Sequence, residues 1–243
     1  MSVDTIHLKV TTLSNLFIGG SPATFEIGGV DLFTVTDYNG KPYIPASSFK
    51  GSLRKIVRDL ARSDSDSANA KLIGQAYREY LRDLLQENME RLGRLEVENE
   101  RISRMKERYE KEIESASAEC LFGMEGFNHT PKLIFNDFQL LDSNHDPFSV
   151  DSKNTIEYYG APEDPKISAK PRTYQTVRPG VEFAGEIHFY MIDKLTVSLD
   201  VIKQFIEHAI RQFNTGIYRL GNSGSRGYGK IQVEVIRRSD QFD

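Results

Sequence analysis

The chain has 243 residues, 39% of them hydrophobic, which is enough for one large domain with a real core. No stretch approaches the roughly 20 apolar residues of a membrane span, and Met1-Ser-Val-Asp-Thr lacks the order of a secretory signal, so a cytoplasmic protein is expected. A single cysteine, Cys120, excludes an internal disulfide and a cysteine-rich zinc site, and a net charge of -4 excludes a polycation that coats nucleic acid indiscriminately.

Any nucleic-acid site must therefore be local. Acids crowd residues 79 to 114, whereas Lys50, Arg54, Lys55, Arg58, Arg172, Arg178, Arg219, Arg226 and Lys230 lie in segments with fewer acids, which points to a binding face. Residues 6 to 14 alternate imperfectly and are rich in β-branched side chains, which predicts a strand closed by Gly19-Gly20. Leu32 to Asp37 and Lys41 to Ile44 flank Asn39-Gly40 and predict a tight hairpin, with Asp37 as a turn-forming residue. Pro45 ends that extension. Ser47 or Ser48 can cap a following helix with Phe49, Leu53, Ile56, Val57 and Leu60 on one face and Lys50, Arg54 and Arg58 on another.

Residues 70 to about 118 are highly charged and proline-free, with apolar positions close to a heptad register, and predict a long helix or a helical hairpin. A continuous helix would run about 65 Å, but Gly93 permits a bend, and Asn88 and Asn99 fall on the seam. A solvated helix packed on itself and a partner-binding coil both fit this segment. Lys132 to Leu141 predicts a strand. Residues 142 to about 176 carry Pro147, Pro162, Pro165 and Pro171 among many Asp, Asn and Ser, and are expected to be irregular. Glu182 to Met191 predicts a half-buried strand, 197 to 214 a helix, and Lys230 to Val235 the last strand. With the Asn39-Gly40 hairpin and the long helix set aside, the order is β-α-β-β-α-β. That predicts an α+β domain over 1–243 with a ferredoxin-like or RRM-like core, an inserted hairpin, a thumb-like loop and a helical insertion.

Two stretches carry candidate chemistry. Gly221 to Gly229 holds four glycines in nine residues, which lets backbone amides approach a phosphate, with Gly224, Ser225, Arg226 and Lys230 as the candidate contacts. A glycine-rich turn between helix and strand is the plainer reading of the same residues. Ile44-Pro-Ala-Ser-Ser-Phe-Lys-Gly-Ser-Leu-Arg54 joins a helix N-terminus to Ser47, Ser48, Lys50 and Arg54, a second possible phosphate cradle beside the plainer reading of a capped helix. The five histidines lack metal-ligand spacing, and no P-loop, dinucleotide fingerprint or nucleophile elbow is present.

These two runs, together with Leu16-Phe-Ile-Gly-Gly20, Ile27-Gly-Gly-Val-Asp31, Leu121-Phe-Gly123 and Leu133-Ile-Phe-Asn-Asp137, resemble the RAMP superfamily of CRISPR effector subunits. The likeness is to the repeated backbone subunit of type III complexes of the III-A or III-D kind, and the motifs come in the right order along the chain. The resemblance implies a subunit that binds guide CRISPR RNA next to further copies of itself and other effector subunits and bends the duplex with a thumb-like hairpin, with Thr155 to Thr176 as the region next to that thumb and Arg172 among the RNA contacts. It also implies cleavage of the paired target RNA at Asp31, with Mg2+ or Mn2+ as the cation and Asp31 as its ligand. A non-catalytic RNA-binding scaffold or assembly subunit of the same kind of complex is the alternative, and the helical insertion is a candidate protein-binding element. No membrane partner is expected.

Overall fold

The computed structural model describes residues 4–20, 30–63, 67–93, 99–141, 145–161 and 164–236. Among them the elements follow as β1 (Thr5–Thr12), α1 (Ala46–Arg62), α2 (Ser67–Gly93), α3 (Asn99–Ser115), β2 (Lys132–Phe135), β3 (Gln139–Leu140), β4 (Phe148–Ala161), β5 (Asp164–Val177), β6 (Glu182–Tyr190), α4 (Leu199–Arg211) and β7 (Ile231–Ile236). The class is α+β, with antiparallel pairing of β1 with β7, of β2 and β3 with β6, and of β4 with β5. The main sheet has the hydrogen-bonded order β2-β6-β1-β7.

The chain forms two compact units. The first comprises Met1–Ile6, Leu53–Phe135 and Ile187–Arg211. Its core takes Leu53, Ile56, Val57, Ile73, Tyr77, Leu81 and the apolar face of α4. Tyr77 is fully buried and donates its hydroxyl to the Pro131 carbonyl at 2.8 Å, which satisfies the one polar atom that a buried tyrosine brings inside. The second unit comprises His7–Ser52, Asn136–Glu186 and Gln212–Asp243. Here β1 alternates buried and half-buried positions, and its register sets Leu8 against Val235 and Val10 against Val233. A slip of one residue would carry that whole apolar set to the other face.

The helical segment is neither one rod nor wholly solvated. α2 ends at Gly93, α3 resumes at Asn99, and the seam residue Asn88 donates to the Tyr109 hydroxyl at 2.9 Å. The early turns of α2 supply Ile73, Ala76, Tyr77 and Leu81 to a core, and from α3 Tyr109 is buried with its ring edge-on to Phe127.

Three further expectations are corrected. The Asn39-Gly40 turn exists, with Gly40 at φ 76° and Asp37 Oδ1 accepting from the amides of Asn39 and Lys41 at 2.8 and 2.9 Å. Its flanks do not form a ladder, since one bridge, Thr36 to Pro42, joins them, and residues 32 to 35 pair instead with 18–20 and with β5. Lys132 to Leu141 is two short strands broken at Phe138, which is fully buried and bonded to Ile44 through both backbone groups. The expected irregular stretch is largely strand: Phe148–Ala161 and Asp164–Val177 are two strands of 14 residues each, in continuous register from Phe148 with Val177 out to Ala161 with Asp164. Ile27-Gly28-Gly29 and the signals at 142–144 lie outside the described residues.

Candidate nucleic-acid interface

The second unit brings the candidate residues together on three elements. Asp31 sits where the chain comes alongside β5 in a parallel bridge from Leu32 to Tyr174. Its Oδ2 accepts from the Thr173 amide at 2.6 Å and from Thr173 Oγ1 at 3.0 Å, while the Asp31 amide donates to the Thr173 carbonyl at 3.1 Å. Those two bonds, the backbone one foremost, hold the carboxyl below the ordinary aspartate range, and the charge of Arg172 adds to the effect. Asp31 is exposed, and Oδ1 makes no bond within the described residues. The arrangement is an ionised carboxylate with one oxygen fastened and the other offered to solvent, next to the exposed guanidinium of Arg172.

The glycine-rich loop makes one turn of 3-10 helix at Gly224–Arg226, between Ser223 at φ 60° and Gly227 at φ 91°. Much of its backbone is used for packing. The amides of Asn222, Gly229 and Lys230 donate to the Phe17 carbonyl, the Asn15 carbonyl and Ser14 Oγ at 2.7, 2.8 and 2.9 Å. A Cβ at Gly229 would lie 1.9 Å from the Leu220 carbonyl oxygen, so that glycine is required by close backbone approach. The plainer reading thus holds at both ends of the loop. At its middle, the amides of Gly224 and Ser225 make no bond among the described residues, and the side chains of Ser225, Arg226 and Lys230 are exposed.

Neither Ser47 nor Ser48 caps α1. The helix starts at Ala46, whose amide donates to Asp137 Oδ1 at 2.7 Å, so the negative end-partner comes from the Leu133-Ile-Phe-Asn-Asp137 motif 91 residues away. A carboxylate already at that terminus opposes a phosphate there. Ser47 remains exposed, and Ser48 and Lys50 are half-buried. Arg54 belongs to the first unit, where Arg54 Nε and Arg58 Nη2 both reach Glu119 Oε2, at 3.0 and 2.7 Å. The basic stripe of α1 is largely spent on that carboxylate.

Sequence reasoning missed an aromatic cluster between the hairpin base and the glycine-rich loop. Tyr174 of β5 meets Phe17 edge-on with ring centroids 5.4 Å apart, and Lys153 of β4 places Nζ 3.4 Å from the Tyr228 ring centre and 5.1 Å from that of Tyr174. Aromatic positions in the loop and in the proline-rich stretch were the available signal, but without the strands nothing joined them.

The model of the RAMP superfamily matches residues 9–232. This chain belongs to the RAMP superfamily. A curated relative, the CRISPR system Cms endoribonuclease Csm3 of Streptococcus thermophilus, is 23% identical to this RAMP chain over 231 residues, covering 94% of it and 86% of the relative. The cryo-EM structure of the Type III-B Cmr-beta bound to cognate target RNA contains a chain similar at TM-score 0.51 and 21% identity, over 97% of this chain and 61% of that one. This RAMP protein therefore spans less than two thirds of that chain. Cmr6 from Pyrococcus furiosus gives a TM-score of 0.43 at 17% identity, over 95% of this chain and 98% of the other.

A divalent cation, which the family resemblance implies, has a limited set of donors. Among the described residues no group of three or more His, Cys, Asp or Glu side chains could hold a metal ion. The unengaged Oδ1 of an ionised Asp31 fits a hard cation that keeps most of its waters and takes its other ligands from a phosphate, as magnesium commonly does.

Proposed function

We propose that this protein is a backbone subunit of a type III CRISPR effector complex, which holds guide CRISPR RNA and cuts the paired target RNA at Asp31. The observation that carries the reading is the carboxylate of Asp31, ionised, fixed to Thr173 by one oxygen and open at the other, beside Arg172. The curated relative named as an endoribonuclease and the fold shared with a chain of a target-RNA-bound complex support it. The strand order β2-β6-β1-β7 within a β-α-β-β-α-β succession supports a ferredoxin-like core beneath the site.

In this reading Arg226, Lys230, Ser225 and the Gly224 amide hold RNA phosphates, which positions the strand without reading its bases, since pairing with the guide supplies sequence. Ser47, Ser48 and Lys50 give a second, weaker contact because Asp137 already occupies the helix terminus. Arg54 makes at most an indirect contribution while it is paired with Glu119. Cleavage proceeds by attack of a ribose 2′-hydroxyl oxygen on the adjacent phosphorus, forming a 2′,3′-cyclic phosphate as the P–O5′ bond breaks; water takes the 2′-hydroxyl proton and supplies one to the departing 5′-oxygen, which leaves as a hydroxyl. The chain's part is to hold that phosphate beside Asp31 and Arg172 in line for attack. A magnesium or manganese ion held by Asp31 Oδ1 would neutralise charge developing on the phosphate. Further copies of the chain and other subunits complete the complex, and the far part of the α2–α3 segment is the surface left for a protein partner.

The test is target-RNA cleavage by the reconstituted complex with magnesium, comparing the native chain with Asp31→Ala. Regularly spaced products that vanish with Asp31→Ala are expected. Unchanged products would leave an RNA-holding scaffold and move the chemistry to another subunit.

A further inference from the structure

The base of the β4–β5 hairpin and the glycine-rich loop are tied by two contacts that converge on Tyr228. The Tyr228 hydroxyl bonds to Asp151 Oδ2, and the Lys153 ammonium lies on the ring face, 3.4 Å from its centre. Asp151 and Lys153 are two residues apart on β4 and so point to the same side of the ribbon. Their cross-strand partners are Tyr174 and Arg172, and Tyr174 adds its own ring 5.1 Å from Lys153 Nζ and an edge contact to Phe17.

Lys153 Nζ is buried and has no hydrogen-bond partner among the described residues. A lysine normally snorkels to water, so a buried ammonium held by π faces marks a position where the cation is kept for its contact. Burial draws its pKa down, with Arg226 adding to this and Asp151 opposing it. The Tyr228 hydroxyl is held protonated by burial and by its bond to Asp151. The phenol thus keeps the proton it gives to Asp151, while the lysine charge is disfavoured by burial and supported by Asp151 beside it.

The next residue of β5 on the opposite side of Arg172 from Pro171 is Thr173, which fastens Asp31. One ribbon base therefore carries Asp31 on an edge and grips the phosphate-holding loop through a face. We propose that Lys153 is a positioning residue, clamped on Tyr228 so that the glycine-rich loop and Asp31 keep a fixed separation and only one phosphate of a bound strand comes into register for cleavage. This rests on the reading of Asp31 given above.

The experiment uses the full chain in the reconstituted complex with Lys153→Met, which keeps length and apolar stem, and Lys153→Arg, which restores a cation able to stack. Lys153→Met is expected to lower kcat by about ten- to a hundredfold with little change in KM, and to add products cut one nucleotide from the normal position. Lys153→Arg should recover most of the rate and the single position. Amide exchange of residues 221–229, measured on the same proteins without target RNA, should quicken in Lys153→Met and return toward native in Lys153→Arg. Native rate and position in Lys153→Met, or equal losses in both variants, would overturn the proposal. If the native complex does not cut, the reading of Asp31 fails by itself, and unchanged exchange in Lys153→Met would then reject the clamp independently.

Discussion

Thr173 gives Asp31 both an amide and a hydroxyl, and the two bonds differ in what a substitution can remove. Thr173→Val keeps the β-branch and the amide but loses the hydroxyl, so the carboxylate gains freedom to rotate. Target cleavage should fall by about tenfold, with Thr173→Ser close to native, and single-turnover rates of the three proteins check it. Arg172→Ala should weaken RNA holding and flatten the salt dependence of binding, because one fewer cation then displaces counterions; filter binding across a salt series measures this. At this scale the sequence was readable only in part. Asp37 shows itself as a turn residue beside Asn39-Gly40, since its partners are two and four residues away. The partner of Asp31 is 142 residues away, and no local pattern announces it.

Helices were more legible than extended segments. The faces of α1 and α4 bury the residues that helical spacing selects, because a period of 3.6 is repeated over many turns and fixes the face. The hairpin of β4 and β5 escaped notice because prolines and polar residues speak against a central strand but allow an edge. The cap on α1 was hidden for another reason: serines at the right place suggested a local acceptor, while the actual one, Asp137, arrives from a different element. Asp137→Ala should therefore cost about 1 kcal/mol of stability, read as a lower denaturation midpoint. Close packing gives a sharper case at Gly185 of β6, where an added Cβ would come 2.5 Å from the Phe138 ring. Gly185→Ala should destabilise the fold by about 1–3 kcal/mol, which denaturant titration at neutral pH would reveal.

For the whole molecule, a net charge of -4 conceals a partition of charge. Acids crowd the helical segment, while the basic side chains Arg172, Arg226 and Lys230 lie at the hairpin base and the glycine-rich loop. Within the first unit Glu119 joins Arg58 and Arg54, and the Arg58 hydrogen bond is the main cause that holds its carboxyl below the ordinary value of 4.5. A depressed folded-state value means that this pairing stabilises above pH 4.5 and is lost as pH falls through the folded value. Glu119→Gln should accordingly be less stable than native at neutral pH, with the difference shrinking in acid; thermal melts from pH 7 downward check the sign. No helix among the described residues is long and apolar enough to cross a membrane.

β5 has a further property that follows from where Thr173 points. Thr173 and Gln175 turn their backbone groups toward residues 31 and 32, so alternation turns those of Pro171 to the same outer edge, where proline has no N–H to offer. Lys166 and Lys170 precede it on the same strand as exposed residues. The edge of a two-stranded ribbon would otherwise be a template for the same ribbon on another molecule. The proline that disguised the strand thus protects it: at that edge position it denies a second ribbon the N–H that pairing would need.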